Sequence, residues 1–236
     1  MDRAIYTALS AANAALNRQA VTSNNMANSA TAGFRAQLAA FRAVPVEGQT
    51  LKTRALVAES TPYNDDTMGP ITHTGRSLDV ALPQNGWLAV ALPDGSEGYT
   101  RNGGIEIDRD GALQVGGKPL MGDGAPLVVP PHSQITIAED GTVSALGAGD
   151  EPTAVVPVGR LKMVNAPMST LIHGDDGLFR PAAGNALPQD DAMRLSPESL
   201  EGSNVSPVKA MTEMIATARS FEMNMKVIRT ADENAQ

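Results

Sequence analysis

Ile5, Leu9, Ala12 and Leu16 recur in steps of four, three and four residues, with Asp2, Arg3, Asn13, Asn17 and Arg18 on other faces. This spacing predicts a helix with one narrow apolar stripe. The helix is expected to end near Met26, because Asn28-Ser29-Ala30-Thr31-Ala32-Gly33-Phe34 offers side-chain hydrogen bonds and a glycine in place of helical continuation. At the other end, Ser206-Pro207 supplies a cap and a first-turn proline. Val208, Met211, Ile215, Ala218, Phe221, Met225 and Ile228 then follow at steps of three and four. The roughly heptad spacing is of the kind that winds a helix around partners. An ordinary terminal helix packed on its own domain gives the same pattern.

Between these helices the period changes. Short apolar runs alternate with Asn85-Gly86, Asp94-Gly95, Asn102-Gly103, Asp110-Gly111, Asp123-Gly124, Asp140-Gly141 and Asp176-Gly177, pairs that favour hairpin turns. The runs predict strands over 78–82, 86–92, 104–107, 112–115, 135–138, 142–145 and 155–164. The fold class expected is α+β, with amphipathic, coiled-coil-type terminal helices flanking a mainly antiparallel β domain. In order, 1–34 holds the first helix and its following loop, and 35–71 an extended linker with Pro45, Pro62 and Pro70. The β domain covers 72–190, a return linker 191–205 and the second helix 206–236. Each terminal stripe is too narrow to be covered by a β domain at the far end of a linker, so the stripes need each other or a neighbouring subunit.

Composition narrows the function. A chain of 236 residues with 42% hydrophobic residues can build a core, while 3% aromatics with 22 Gly and 16 Pro place much of the fold in turns and small residues. The net charge of -8 argues against nucleic acid or an anionic membrane surface as partner, both of which need a basic face. With no cysteine, disulfides, thiolate metal sites and thiol nucleophiles are excluded. The first residues lack the basic and apolar regions of a cleavable signal, and no run approaches a spanning helix, so no direct membrane insertion is expected.

Candidate chemistry is sparse. His73, His132 and His173 lie in separate turn-rich segments without metal-ligand spacing, and Asp108-Arg109-Asp110-Gly111 lacks the later positions of a calcium loop and reads as a hairpin turn. No G-x-S-x-G or phosphate-cradling pattern occurs, and the glycines before Lys118 read as another hairpin. No catalytic residue, metal or cofactor is expected. Trp87, the one tryptophan, is expected in the β core.

The stretch Asn24-Asn25-Met26-Ala27-Asn28-Ser29-Ala30-Thr31-Ala32-Gly33-Phe34-Arg35 resembles the N-terminal signature of flagellar rod and hook proteins. Leu200-Glu201-Gly202-Ser203-Asn204-Val205, Met214-Ile215 and the run from Arg219 to Ile228 resemble the C-terminal signature of that family. Leu78-Asp79-Val80-Ala81-Leu82, Gly86-Trp87-Leu88-Ala89-Val90 and Gly98-Tyr99-Thr100-Arg101-Asn102-Gly103 resemble the start of its β domain. The likeness covers nearly the whole chain. Within the family, Met1-Asp2-Arg3-Ala4-Ile5-Tyr6 and Asp175-Asp176-Gly177-Leu178-Phe179-Arg180 are most similar to proximal rod subunits, with distal rod and hook subunits the alternatives.

The resemblance implies a structural, non-enzymatic subunit of the axial drive shaft of the bacterial flagellum. Such a subunit is exported by the flagellar type III apparatus without signal cleavage and placed in the basal-body rod across the periplasm. Its partners would be copies of itself and other proximal and distal rod subunits, with the terminal helices as an inner coiled-coil layer and the β domain outside. The residues expected at that assembly interface are Ile5, Leu9 and Leu16 on the first helix. Asn24, Asn25, Asn28, Thr31, Gly33 and Phe34 follow in the signature, where the asparagines also read locally as helix caps. On the C-terminal side they are Asn204, Met211, Ile215, Arg219, Phe221, Glu222, Met225 and Ile228. The Phe221 ring is expected in the inter-helix layer. A secreted β-rich polysaccharide hydrolase would need carboxylates converging in a cleft. An adhesin would have no use for striped helices at both ends.

Overall fold

The structure is a computed structural model that describes residues 2–45, 55–131, 133–147 and 154–233. The chain divides into two compact units. A helical unit holds 1–29, 36–65 and 205–236, and a β unit holds 30–35 and 66–204.

In the helical unit, α1 (Asp2–Ala27) is rich in alanine, the best helix former, and is free of Gly and Pro. It packs along α2 (Pro207–Glu233), whose first turn begins at the proline, with the Ser206 carbonyl accepting from the Ala210 N–H at 3.0 Å. The buried residues of α1 are Ala8, Ala12, Ala15 and Thr22, and those of α2 are Ala210 and Thr217. This seam of small side chains shares Ala12 with the expected stripe but leaves its Leu9 and Leu16 outside. Small side chains let two helix backbones approach closely, and Leu at these positions would hold them apart.

Within 35–71, expected to be an extended linker, the described residues hold two paired strands. β1 (Gln37–Pro45) pairs antiparallel with β2 (Ala55–Asn64), with a bulge between Leu38 and Ala40. The strand pair is held to α1 by side chains. Ser10 Oγ donates to the Val57 carbonyl and accepts from its N–H, both at 3.1 Å. The Asn25 amide donates to the Gln37 carbonyl and accepts from the Gln37 N–H, both at 2.8 Å, in the manner of one more strand residue. The Arg18 guanidinium lies 4.9 Å from the centroid of Phe41.

The β unit is built from short strands. They run β3 (Ile71–His73), β4 (Val80–Ala81), β5 (Gly86–Ala91), β6 (Glu97–Thr100), β7 (Glu106–Ile107), β8 (Leu113–Val115), β9 (Lys118–Pro119) and β10 (Gln134–Ile137). After them come β11 (Thr142–Leu146), β12 (Val156–Arg160), β13 (Met163–Asn165), β14 (Leu171–His173), β15 (Phe179–Pro181), β16 (Ser196–Pro197) and β17 (Ser199–Glu201). The central sheet has the order β13-β5-β6-β15-β14. Around it stand sheets of order β10-β11-β12 and β7-β8-β9 and the pairs β16-β4 and β17-β3. Every strand pair is antiparallel, which completes the α+β architecture.

β5 shows how the core of this unit is arranged. Alternate residues point to opposite faces of a strand, and both faces of β5 are covered. Leu88 and Val90 join the larger core with Ile105, Leu113 and Leu161, whereas Trp87 and Ala89 join a second core with Tyr99, Val164 and Phe179. Trp87 takes its expected core place, with Nε1 donating to the Ala166 carbonyl at 2.9 Å and its ring centroid 4.7 Å from that of Phe179.

Five of the seven expected turn pairs turn on a left-handed glycine, at Gly95, Gly111, Gly124, Gly141 and Gly177. Asn85-Gly86 and Asn102-Gly103 do not make hairpin turns. Gly86 opens β5, and Gly103 lies against β4, where an added Cβ would collide with the Val80 carbonyl. The run 155–164, expected as one strand, is two. β12 ends at Arg160 and β13 begins at Met163 in a different sheet; the Leu161 N–H still goes to the Gly141 carbonyl beside β11 at 2.9 Å, whereas the Lys162 N–H goes to the Met121 carbonyl at 2.8 Å.

Candidate assembly surfaces and a buried ionic cluster

The expected assembly residues fall into three groups. On the helical unit, Leu9 and Leu16 are 46% and 51% exposed, and Met211 and Ile215 are 51% and 57% exposed, with Tyr6 and Val208 open beside them. Arg219 and Glu222 are exposed as well, whereas Ile5, Phe221, Met225 and Ile228 are half-buried within the unit. α1, the strand pair and α2 also border a groove lined by Ala14, Ala15, Ala39 and Ala216 together with Arg42 and Glu213.

At the end of α1, Asn28 caps the helix, its amide donating to the carbonyl of Asn24 in the last turn at 2.9 Å, and Asn25 holds β1 as described. The third group, Thr31, Gly33, Phe34 and Asn204, belongs to the β unit. Gly33 has φ +67 and is pressed against the backbone of Arg101, so that a Cβ there would clash, and its N–H donates to the Glu201 carbonyl at 2.8 Å. The Asn204 N–H donates to the Phe34 carbonyl at 3.3 Å, and its amide to the Thr67 carbonyl at 3.0 Å.

At the centre of this third group lies a cluster that was not among the expected site residues. Glu201, 1% exposed, faces Arg35 Nη2 at 2.9 Å through Oε1 and Arg101 Nη2 at 2.6 Å through Oε2. Arg101 Nε also donates to Oε2, at 3.0 Å, and its Nη1 donates to the carbonyls of Pro83, Gln84 and Gly86. The Gly69 N–H donates to Glu201 Oε1 at 3.0 Å. A buried charge is tolerated only when paired and hydrogen-bonded, and this carboxylate and the Arg101 guanidinium are both. The sequence held one signal of the cluster. Charged residues stand within three otherwise glycine-rich or apolar stretches, around Arg35, Arg101 and Glu201.

The remaining polar groups of the β unit read as supports. Lys162 Nζ pairs with Glu97 at 2.6 Å, and the Tyr99 hydroxyl donates to Glu97 and accepts from the Leu187 N–H, both at 2.8 Å. Burial of the phenol, with Glu97 beside it, pushes Tyr99 up to about 12. The hydrogen bonds from Arg180 bring Asp176 down to about 2. Burial lowers His173 below its usual value, and its ring stands edge-on to Phe179 at 4.8 Å. The Asp108 carboxylate accepts the N–H groups of Asp110 and Ala112, tying the turn between β7 and β8. His132 lies outside the described residues. No helix among the described residues is long and apolar enough to cross a membrane, and they hold no cluster of three or more His, Asp or Glu side chains fit for a metal ion.

Three family models match the chain, all of axial flagellar proteins. Residues 5–35 match the model described as flagella basal body rod protein, residues 81–145 the flagellar hook protein FlgE/F/G D1 domain, and residues 196–236 the flagellar basal body rod FlgEFG protein C-terminal. The chain is 56% identical to the flagellar basal-body rod protein FlgF of Salmonella typhimurium, over 99% of its length and 96% of the relative's. It is likewise 56% identical to FlgF of Escherichia coli, over 100% and 96%. To the flagellar basal-body rod protein FlgG of Agrobacterium fabrum it is 33% identical, over 99% and 97%. The chain therefore belongs to the flagellar basal-body rod protein family, among its proximal rod members. Each matched segment supplies one member of the buried cluster: Arg35, Arg101 and Glu201 in turn.

Proposed function

We propose that this chain is a structural subunit of the proximal part of the bacterial flagellar rod, joined to its neighbours through α1 and α2, and is not an enzyme. The observation that carries the helix assignment is the inversion of residue size on the helical unit. Small side chains fill its inner seam, and large ones, Leu9, Leu16, Met211 and Ile215, stand in solvent. Exposed apolar side chains in register along two long helices are the mark of a surface that another protein covers. In the assembled rod these stripes meet the helices of adjacent subunits, copies of this chain and other proximal and distal rod subunits, in coiled-coil packing. Asn28 closes the base of α1 for that packing. The subunit reaches the rod, across the periplasm, through the flagellar export apparatus without cleavage of a signal peptide.

The test is Ile215→Asp, a charge on the open stripe. The purified variant is expected to melt as the unaltered protein does, because the side chain is outside the seam, while cells carrying it fail to incorporate the subunit and do not swim. Normal rods and normal swimming with Ile215→Asp would refute assembly through this stripe.

A further inference from the structure

The chain passes between its two units four times, after residues 29, 35, 65 and 204. On the side of the β unit, the ends of all four passages are bound to one another. The segment 30–35 is a tight turn, with the Phe34 N–H on the Thr31 carbonyl at 3.3 Å. Arg35 Nη1 donates to the carbonyl of Asp66 at 3.3 Å, and the backbone and side chain of Asn204 reach Phe34 and Thr67. The Gly202 N–H donates to the Pro70 carbonyl at 2.9 Å. Glu201 is the common partner, since it accepts from Gly33 through its backbone, from Gly69 through its carboxylate, and pairs with Arg35 and Arg101. Through Arg101 it is fastened to the carbonyls ahead of β5, in the core of the unit.

We propose that Arg35, Glu201 and Arg101 form a clamp that makes the four chain ends of the β unit move as one body, so that torque entering the subunit by any of them is shared by all. The proposal rests on the reading of the chain as a rod subunit. Two features separate a clamp from ordinary core packing. Two guanidiniums share one carboxylate in a site closed to water, so the carboxylate cannot be removed without leaving two buried cations unneutralised. The members also come from three distant stretches, each at the edge of a chain passage or of the sheet.

The chain itself supplies the probes. Trypsin cleaves after Arg35 only when the turn opens, and Trp87, the single tryptophan, stands 5.5 Å from the Arg101 guanidinium and reports on the core. In the full-length protein, Glu201→Gln is expected to speed cleavage after Arg35 by about ten-fold or more, because proteolysis follows the population of the opened segment. The Trp87 melting transition is expected to remain cooperative. Should Glu201→Gln not fold, Arg35→Lys, which keeps the charge and the trypsin site but loses the planar fork, decides by the same two readouts. In cells, subunits with the opened clamp are expected to enter rods while swimming in viscous medium is lost. Unchanged cleavage after Arg35, or equal opening of every tryptic site with loss of the Trp87 transition, would overturn the clamp. Normal swimming under load with cleavage accelerated would overturn its role in torque. Absence of the unaltered protein from rods would instead refute the rod reading and leave the proteolysis result standing.

Discussion

The helical unit and the β unit bury opposite kinds of residue. In the β unit the largest side chains, Trp87, Tyr99, Leu88 and Leu161, are inside, and both faces of the central strand are covered. In the helical unit the fully buried residues are alanine and threonine, Leu9, Leu16, Met211 and Ile215 are outside, and Ile5, Phe221, Met225 and Ile228 are half-buried. Charge divides the same way. Of the 26 acidic residues 18 lie in the β unit, against 9 of the 18 basic ones, giving it a net charge of -9 and leaving the helical unit with 9 basic and 8 acidic residues at +1. A nearly neutral surface with exposed apolar stripes can stack on copies of itself without repulsion, and a strongly acidic one cannot do so cheaply. The β unit covers its large apolar side chains within the chain, and the helical unit leaves Leu9, Leu16, Met211 and Ile215 open, which is the difference the proposed assembly rests on.

The largest effect expected from breaking this contrast is the pair Leu88→Ala and Leu16→Ala. The first leaves a cavity between packed sheets and is expected to lower stability by about 2–5 kcal/mol, whereas the second changes an exposed side chain and stays within about 0.5 kcal/mol. Denaturant unfolding followed by Trp87 fluorescence for the β unit and by helical circular dichroism for the helical unit measures both, and equal losses would erase the distinction between the units.

Gly33→Ala comes next. A non-glycine residue at φ +67 costs about 1–3 kcal/mol, and here the added methyl also meets the backbone of Arg101. Stability measured by thermal melting is expected to fall by that amount or more. A neutral outcome would mean that the turn has room to relax.

The smallest expected effect sharpens the contrast by pH. Burial lowers His173 in the folded chain, so the unfolded chain takes up its proton first. Stability of the β unit is therefore expected to be fully present above the ordinary value of 6.5 and to fall as pH drops through it, levelling off once the folded form is protonated as well. Melting at pH 8 and pH 5.5 should differ less in His173→Gln than in the unaltered protein. An identical pH response in both would remove His173 from the account.

Much of this organisation is legible in the sequence because it is set by local rules. The two helices follow from spacing and from Ser206-Pro207, and five turns follow from an Asp-Gly pair whose glycine takes a positive φ. Family likeness is legible as well, since the signatures are contiguous. Tertiary structure alone decided which face of α1 lies inside. The expected stripe ran through Leu9, Ala12 and Leu16, yet close approach of two backbones selects the alanines at 8, 12 and 15, of which only Ala12 belongs to that stripe. It also decided that 37–45 pairs with 55–64, because strand pairing and the grip of Ser10 and Asn25 act between residues distant in the chain. The ionic cluster is the clearest case. Nothing local ties Arg35 to Arg101 or Glu201, and only burial of all three in one place turns separate charges into a mutual obligation.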